Sequence, residues 1–193
     1  MNIVHQVEGA IAVLKLDKAK MAEIARNKEA TVFGIVFLAA PVVVNIILLA
    51  LAFPSEFGSI FSRYLLWPIV IPVLAFAANA FLMSLIAEKA FKWNSDHVGF
   101  FRIMSYASVV LWVTVIPFVL LVVGLGLDAF SLFSLVSLAA GLYLLYIAYN
   151  VLMEHHKLTK ENAVYTIIAG FFISIVVNSI LGNILVGGGY KMY

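Results

Sequence analysis

Between Thr31 and Val186 the chain consists of five long apolar stretches separated by short polar links. Hydrocarbon leaves such a chain few options. With no water to satisfy backbone N–H and C=O groups, only a helix or a closed barrel crosses a bilayer. A helix needs about 20 mostly apolar residues to span about 30 Å. Stretches of that length, in a chain with 64% hydrophobic and 11% charged residues, predict an all-α fold: a polytopic transmembrane bundle of five helices with an N-terminal amphipathic helix.

The expected spans are 31–53, 64–87, 107–124, 131–153 and 163–186, forming one membrane domain over 31–186. No Asp, Glu, Lys or Arg falls inside any of the five. Each Leu, Ile, Phe or Val near a helix centre favours insertion by roughly 0.3–0.6 kcal/mol, so the sum outweighs scattered Gly, Ser and Asn. Pro41 and Pro117 lie inside the first and third spans, whereas Pro68 and Pro72 fall in the first turns of the second, where proline is best tolerated. Phe100–Tyr106, which mixes aromatics with Arg102, suits a helix start in the headgroup zone. Gly124 and Gly126 make a tight turn, and Gly187–Gly189 end the last span ahead of a short outer tail, 187–193.

Charge sets the expected orientation. Five crossings place residues 1–30 and the second and fourth links on one side. That side carries Lys15, Lys18, Lys20, Arg26, Lys28, Lys89, Lys92, Arg102, Lys157 and Lys160; the other carries Arg63 and Lys191. Basic flanks stay in the cytoplasm, which predicts a cell-membrane protein with its N-terminus inside and its C-terminus outside. Residues 1–30 lack a short apolar block with a small-residue cleavage site, so no cleavable signal is expected there.

Within 1–30, Ile3, Val7, Ile11, Leu14, Met21 and Ile24 recur near one helical face. Such a helix either lies on the anionic inner leaflet, packs under the bundle or docks a cytosolic partner. Lys15, Lys18, Lys20, Arg26, Lys28 and Arg102 are the candidate lipid-headgroup contacts.

The clearest internal pattern is on the fifth span. Thr166, Gly170, Ser174, Asn178 and Gly182 recur every four residues. Lipid tails give helices no hydrophobic reason to associate, so small residues that admit close backbones mark contacts. This stripe is the candidate helix-packing surface; a homodimer seam or a pore lining are the alternatives. Asn45, Asn79 and Asn150 are the candidate intramembrane polar residues, each of which should find a partner because a lone amide in hydrocarbon is costly.

Several chemistries find no support. With no cysteine, disulfides and thiol chemistry are excluded. Neighbouring His155 and His156 point about 100° apart on a helix, so an exposed loop is expected there, and no metal or cofactor. No histidine shares the depth of the span serines to activate one, which argues against an enzyme. Twelve Lys and Arg, all beside the membrane, do not suit nucleic acid. The expected partners are the bilayer and other membrane proteins, including a second copy. A small transporter or channel-like subunit, with a polar path lined by the asparagines, is the alternative.

Two short segments carry a family resemblance. Arg102-Ile103-Met104-Ser105-Tyr106-Ala107-Ser108 is similar to the segment leading into the third span of the Yip1 domain family, where a Tyr-Ala or Tyr-Ser pair precedes a proline; here that is Pro117, later than in many members. His156-Lys157-Leu158-Thr159-Lys160 followed by Ala163 resembles that family's His-Gly-Leu-Ser-Lys…Ala pattern, with Lys157 in place of the glycine. Tyr143 and Tyr146 occupy the region of the fourth span where a tryptophan is often found. The resemblance covers roughly residues 24–186 and points to the prokaryotic branch. It implies a non-enzymatic, five-span membrane scaffold or adaptor. The acidic-aromatic N-terminal region of eukaryotic members is missing, so a Rab-type GTPase is not an expected partner.

Overall fold

The computed structural model describes residues 3–52, 67–92, 96–124 and 126–185. Every regular element among them is helical. In chain order they are α1 (Ile3–Leu14), α2 (Lys18–Arg26), α3 (Ala30–Ala52), α4 (Trp67–Phe91), α5 (His97–Ala107), a 3-10 segment (Ser108–Thr114), α6 (Val115–Val122), α7 (Gly126–Glu154) and α8 (Lys160–Leu185). Five helices are long and apolar enough to cross a membrane: Ala30–Leu48, Val70–Phe91, His97–Leu120, Phe130–Glu154 and Lys160–Val177. The protein is an all-α, multi-pass membrane protein. Arg63, Gly187–Gly189 and Lys191 lie outside the described residues.

Two tight junctions fold the N-terminal arm onto this bundle. α1 ends with Leu16 at φ 60°. The Leu16 amide donates to the Val13 carbonyl at 2.9 Å and the Asp17 amide to the Ala12 carbonyl at 3.0 Å, a pattern that closes a helix end. Asp17 then caps α2 by accepting from the Lys20 amide at 3.0 Å. Asn27 closes α2 through its own amide, and its side chain accepts from the Glu29 amide at 3.0 Å at the start of α3.

The arm's two helices divide the periodic apolar face between outside and inside. On α1 the buried residues are Gln6, Gly9, Ala10 and Val13, whereas Ile3, Val7 and Ile11 are 70%, 42% and 44% exposed. The Ile3 stripe is a real helical face, but it points away from the bundle. α2 behaves as expected and buries Met21 and Ile24.

The third span departs furthest from its sequence boundaries. Its helix starts at His97 instead of Ala107, and Phe100, Ile103, Tyr106 and Ala107 are wholly buried. A helix does start in this segment, and it is also heavily buried, because α2, α3, α4 and α7 all pack around α5. The 3-10 turns of Ser108–Thr114 come just before Pro117. Proline cannot donate to the carbonyl four residues back and its ring crowds it, so the backbone ahead tightens. Ser108 and Thr114 hydroxyls donate to carbonyls three residues back, each at 2.6 Å. α3, by contrast, continues through Pro41 as one helix.

α3 and α5 run side by side in the same direction and meet at a single glycine. A Cβ at Gly34 would lie 2.7 Å from the Ser105 Cβ and 1.9 Å from its Oγ. That close approach lets Phe37 meet Tyr106 edge-on at 5.1 Å between ring centres, and lets the Trp112 indole donate to the Phe37 carbonyl at 3.0 Å.

After α7, the chain turns back through Lys157 at φ 55°. A non-glycine residue in this left-handed conformation costs roughly 1 kcal/mol. Lys157→Gly is therefore expected to raise the melting temperature in detergent by a few degrees, once the added freedom of the unfolded chain is subtracted. A lower melting temperature would mean that the lysine side chain supports the turn.

Candidate functional site

The small-residue stripe of α8 faces α4. Thr166 is fully buried and donates from its hydroxyl to the Asn162 carbonyl at 2.8 Å. Gly170 sits against Met83, whose Cγ would be 2.6 Å from an added Cβ. Ser174 opens onto a pocket of about 140 Å³ between α4, α5, α7 and α8. Asn79 shares that pocket; Phe76, Met83, Met104 and Leu145 supply its apolar wall. The side chain of Asn178 and the surroundings of Gly182 lie outside the described residues.

These neighbours separate two substitutions that the stripe alone would treat alike. Gly170→Leu drives a branched side chain into Met83 and is expected to destabilise by about 1–3 kcal/mol. Ser174→Leu points into existing space and is expected to be neutral or stabilising, because filling a void restores lost contacts. Thermal unfolding of the two single variants in detergent checks this; equal losses would place Ser174 in a tight contact.

The three asparagines do not share one path. Asn150 donates from its amide to the Tyr146 carbonyl of its own helix at 2.8 Å. The Oδ1 atoms of Asn45 and Asn79 are buried with no hydrogen-bond partner. Asn79 lines the pocket, whereas Asn45 and Asn150 do not.

A second grouping, at the end of the bundle that carries the arm, escaped sequence reasoning. Ser84, on the last turns of α4, is fully buried between two histidines. Its Oγ lies 2.8 Å from His97 Nδ1 and 3.3 Å from His156 Nε2. His97 Nε2 is 3.0 Å from the Glu88 carboxylate. His156 is 1% exposed and rests on the Phe100 ring with 5.2 Å between centres. The exposed-loop expectation therefore fails for His156: the left-handed turn at Lys157 folds it inward beneath α5. The expectation that no histidine reaches a span serine also fails, because His97 and His156 approach Ser84 from links distant in sequence. His155 Nε2 stands 3.7 Å from Asp96 Oδ2, too long for a hydrogen bond. Asp96 is committed elsewhere, accepting from the Gly99 amide at 2.8 Å to cap α5.

Burial governs the protonation of His156 and His155. It pushes the His156 imidazole down to about 4, with His155 and His97 adding repulsion and Asp96 opposing. Burial likewise lowers His155, against the pull of Asp96. Among the described residues no three His, Asp or Glu side chains converge as a metal site. What remains is a chain of polar contacts from Glu88 through His97 and Ser84 to His156, tying α4 to the start of α5 and to the link after α7.

The basic residues divide. Arg102 is partly buried: its guanidinium donates to Thr31 Oγ1 at 2.8 Å and to the Ala25 carbonyl at 2.7 Å, pinning the α2–α3 junction to α5. Lys18 pairs with Glu154 of α7, and Lys20 with Glu23 at 2.8 Å. Lys15, Arg26 and Lys28 are exposed.

Set against known proteins, the chain matches no family model, no curated protein and no solved structure.

Proposed function

We propose that this protein is a non-enzymatic membrane scaffold or adaptor of Yip1 type, held in the cell membrane with its N-terminus inside, that acts by binding other membrane proteins, lipid or a second copy of itself. The observation that carries the reading is the uneven burial of the spans. In the third, 39% of the most apolar window is buried inside the protein; in the fourth, 11%. Leu135, Leu138 and Leu142 on α7, and Phe171, Phe172 and Ile175 on α8, leave broad apolar faces open to neighbours in the bilayer. The family resemblance adds weight at Lys157, which holds the left-handed conformation that the glycine of the pattern would favour.

Photo-crosslinkers at Leu138 and Phe172, activated in native membranes and read by mass spectrometry, test the proposal. Adducts to a membrane protein or to a second copy are expected. Adducts to lipid alone at both positions would remove the protein-binding role and leave only the contact with lipid. Orientation is tested by a reporter fused after Tyr193, expected to be active only outside.

One observation favours a transporter-like subunit instead. Asn79 and Ser174 share a pocket, and the Asn79 oxygen lacks a partner. On that reading Asn79→Leu would abolish solute flux in proteoliposomes; on the scaffold reading it leaves permeability unchanged.

A further inference from the structure

Helix α1 presents three distinct faces. Gln6, Gly9, Ala10 and Val13 turn into the protein. His5 and Glu8 are exposed and lie on the side of α2, where His5 stands 3.4 Å from Glu23. Between these faces runs the exposed aliphatic strip of Ile3, Val7 and Ile11.

The depth of α1 follows from what holds it. Arg102 bonds Thr31, so the start of α3 and Arg102 are level. Tyr106 lies one helical turn beyond Arg102, about 6 Å deeper, and donates its hydroxyl to Gln6 of α1. At the other end of α1 the Leu14 carbonyl accepts from the Tyr143 hydroxyl at 2.6 Å. Tyr143 precedes Glu154, the end of the fourth span, by eleven residues, a helix length of about 16 Å. Both anchors therefore lie inside candidate spans. Beside the Leu14 anchor, Tyr143 and Tyr146 are exposed on the outer face of α7.

We infer that α1 is an interfacial helix sunk into one leaflet beside the bundle, with Ile3, Val7 and Ile11 bedded in the upper acyl chains and Glu8 and Lys15 turned toward the headgroups. Its occupant is the lipid itself. A helix so placed buries its apolar face about 5–10 Å below the headgroup boundary; the Tyr106 anchor falls in that range, and the Tyr143 anchor sets the Leu14 end of α1 deeper. The inference needs the bilayer but no protein partner, so failure of every protein crosslink leaves it standing.

The absence of cysteine from the whole sequence makes the test direct. Val7→Cys, Ile11→Cys and Glu8→Cys are each labelled with a nitroxide in the full chain, reconstituted in bilayers containing anionic lipid. Collision with molecular oxygen, which concentrates in hydrocarbon, is compared with collision with a water-soluble nickel chelate. At Val7 and Ile11 oxygen is expected to dominate by several-fold, and at Glu8 the ratio is expected to reverse. Nickel dominance at Val7 and Ile11 would put the strip in water and overturn the inference. Protection from both agents would mean that protein covers it, and would overturn the inference equally.

Discussion

Gly34→Ala is expected to be among the most damaging single changes in this protein, at about 3 kcal/mol or more. Overpacking usually costs about 1–3 kcal/mol because neighbouring side chains can yield. Here they cannot yield far enough. The Ser105 hydroxyl can rotate away, but its Cβ, 2.7 Å from the new methyl, moves only with the α5 backbone. Separating α3 from α5 also strains the Phe37–Tyr106 ring pair and the Trp112 bond to the Phe37 carbonyl. Thermal unfolding in detergent measures the loss. Ser105→Gly in the same chain removes the obstructing carbon and is expected to recover most of it, despite the roughly 1 kcal/mol that a helical glycine costs. No recovery would mean that the damage at position 34 arises elsewhere.

Acidification is expected to loosen the arm-bearing end of the bundle, with stability full above about pH 6.5 and declining toward pH 4. The sign follows from His156. Its folded value, about 4, lies below the ordinary 6.5, so between those limits the unfolded chain binds a proton that the folded chain refuses. Over the whole window the loss is on the order of 3 kcal/mol. His155, lowered for the same reason, acts in the same direction. The groups acting on the pair are Ser84 of α4, Asp96 and His97 at the start of α5, Arg26 of α2 and the neighbouring Lys157. Melting temperature against pH for the parent and for His156→Gln, which keeps a polar side chain near Ser84 without titrating, isolates the contribution. The variant should fall less steeply between pH 6.5 and 5. Parallel curves would assign the acid sensitivity to other groups.

Both effects depend on contacts that one-dimensional patterns hide. Gly34 sits in a run of apolar residues and breaks no periodicity, so nothing in its neighbourhood announces that α5 lies against it. Gly170 was legible because Thr166 and Ser174 flank it at helical spacing, and the structure sets it against Met83. The buried histidine was hidden by its company: Glu154, His155, His156 and Lys157 compose a polar link, and only the backbone turn at Lys157 sends one of the four inward. Nothing local announces that turn, because a lysine does not signal the left-handed backbone it adopts there.

The spans themselves were determined by sequence, because the requirement for length and apolarity in hydrocarbon is local to each segment. The first, second, fourth and fifth charge-free runs fall on helices of crossing length, whereas the third crossing, His97–Leu120, begins ten residues before its run and takes in Arg102. Which face of each helix turns inward was decided only by tertiary structure. Inside a bilayer both lipid and protein are apolar, so hydrophobic periodicity no longer distinguishes core from exterior. The same degeneracy turned Ile3, Val7 and Ile11 outward on α1 while Gln6, Gly9 and Ala10 went in. Gly9 lets α1 come close to Tyr106 of α5, and Gln6 accepts the hydrogen bond of its hydroxyl.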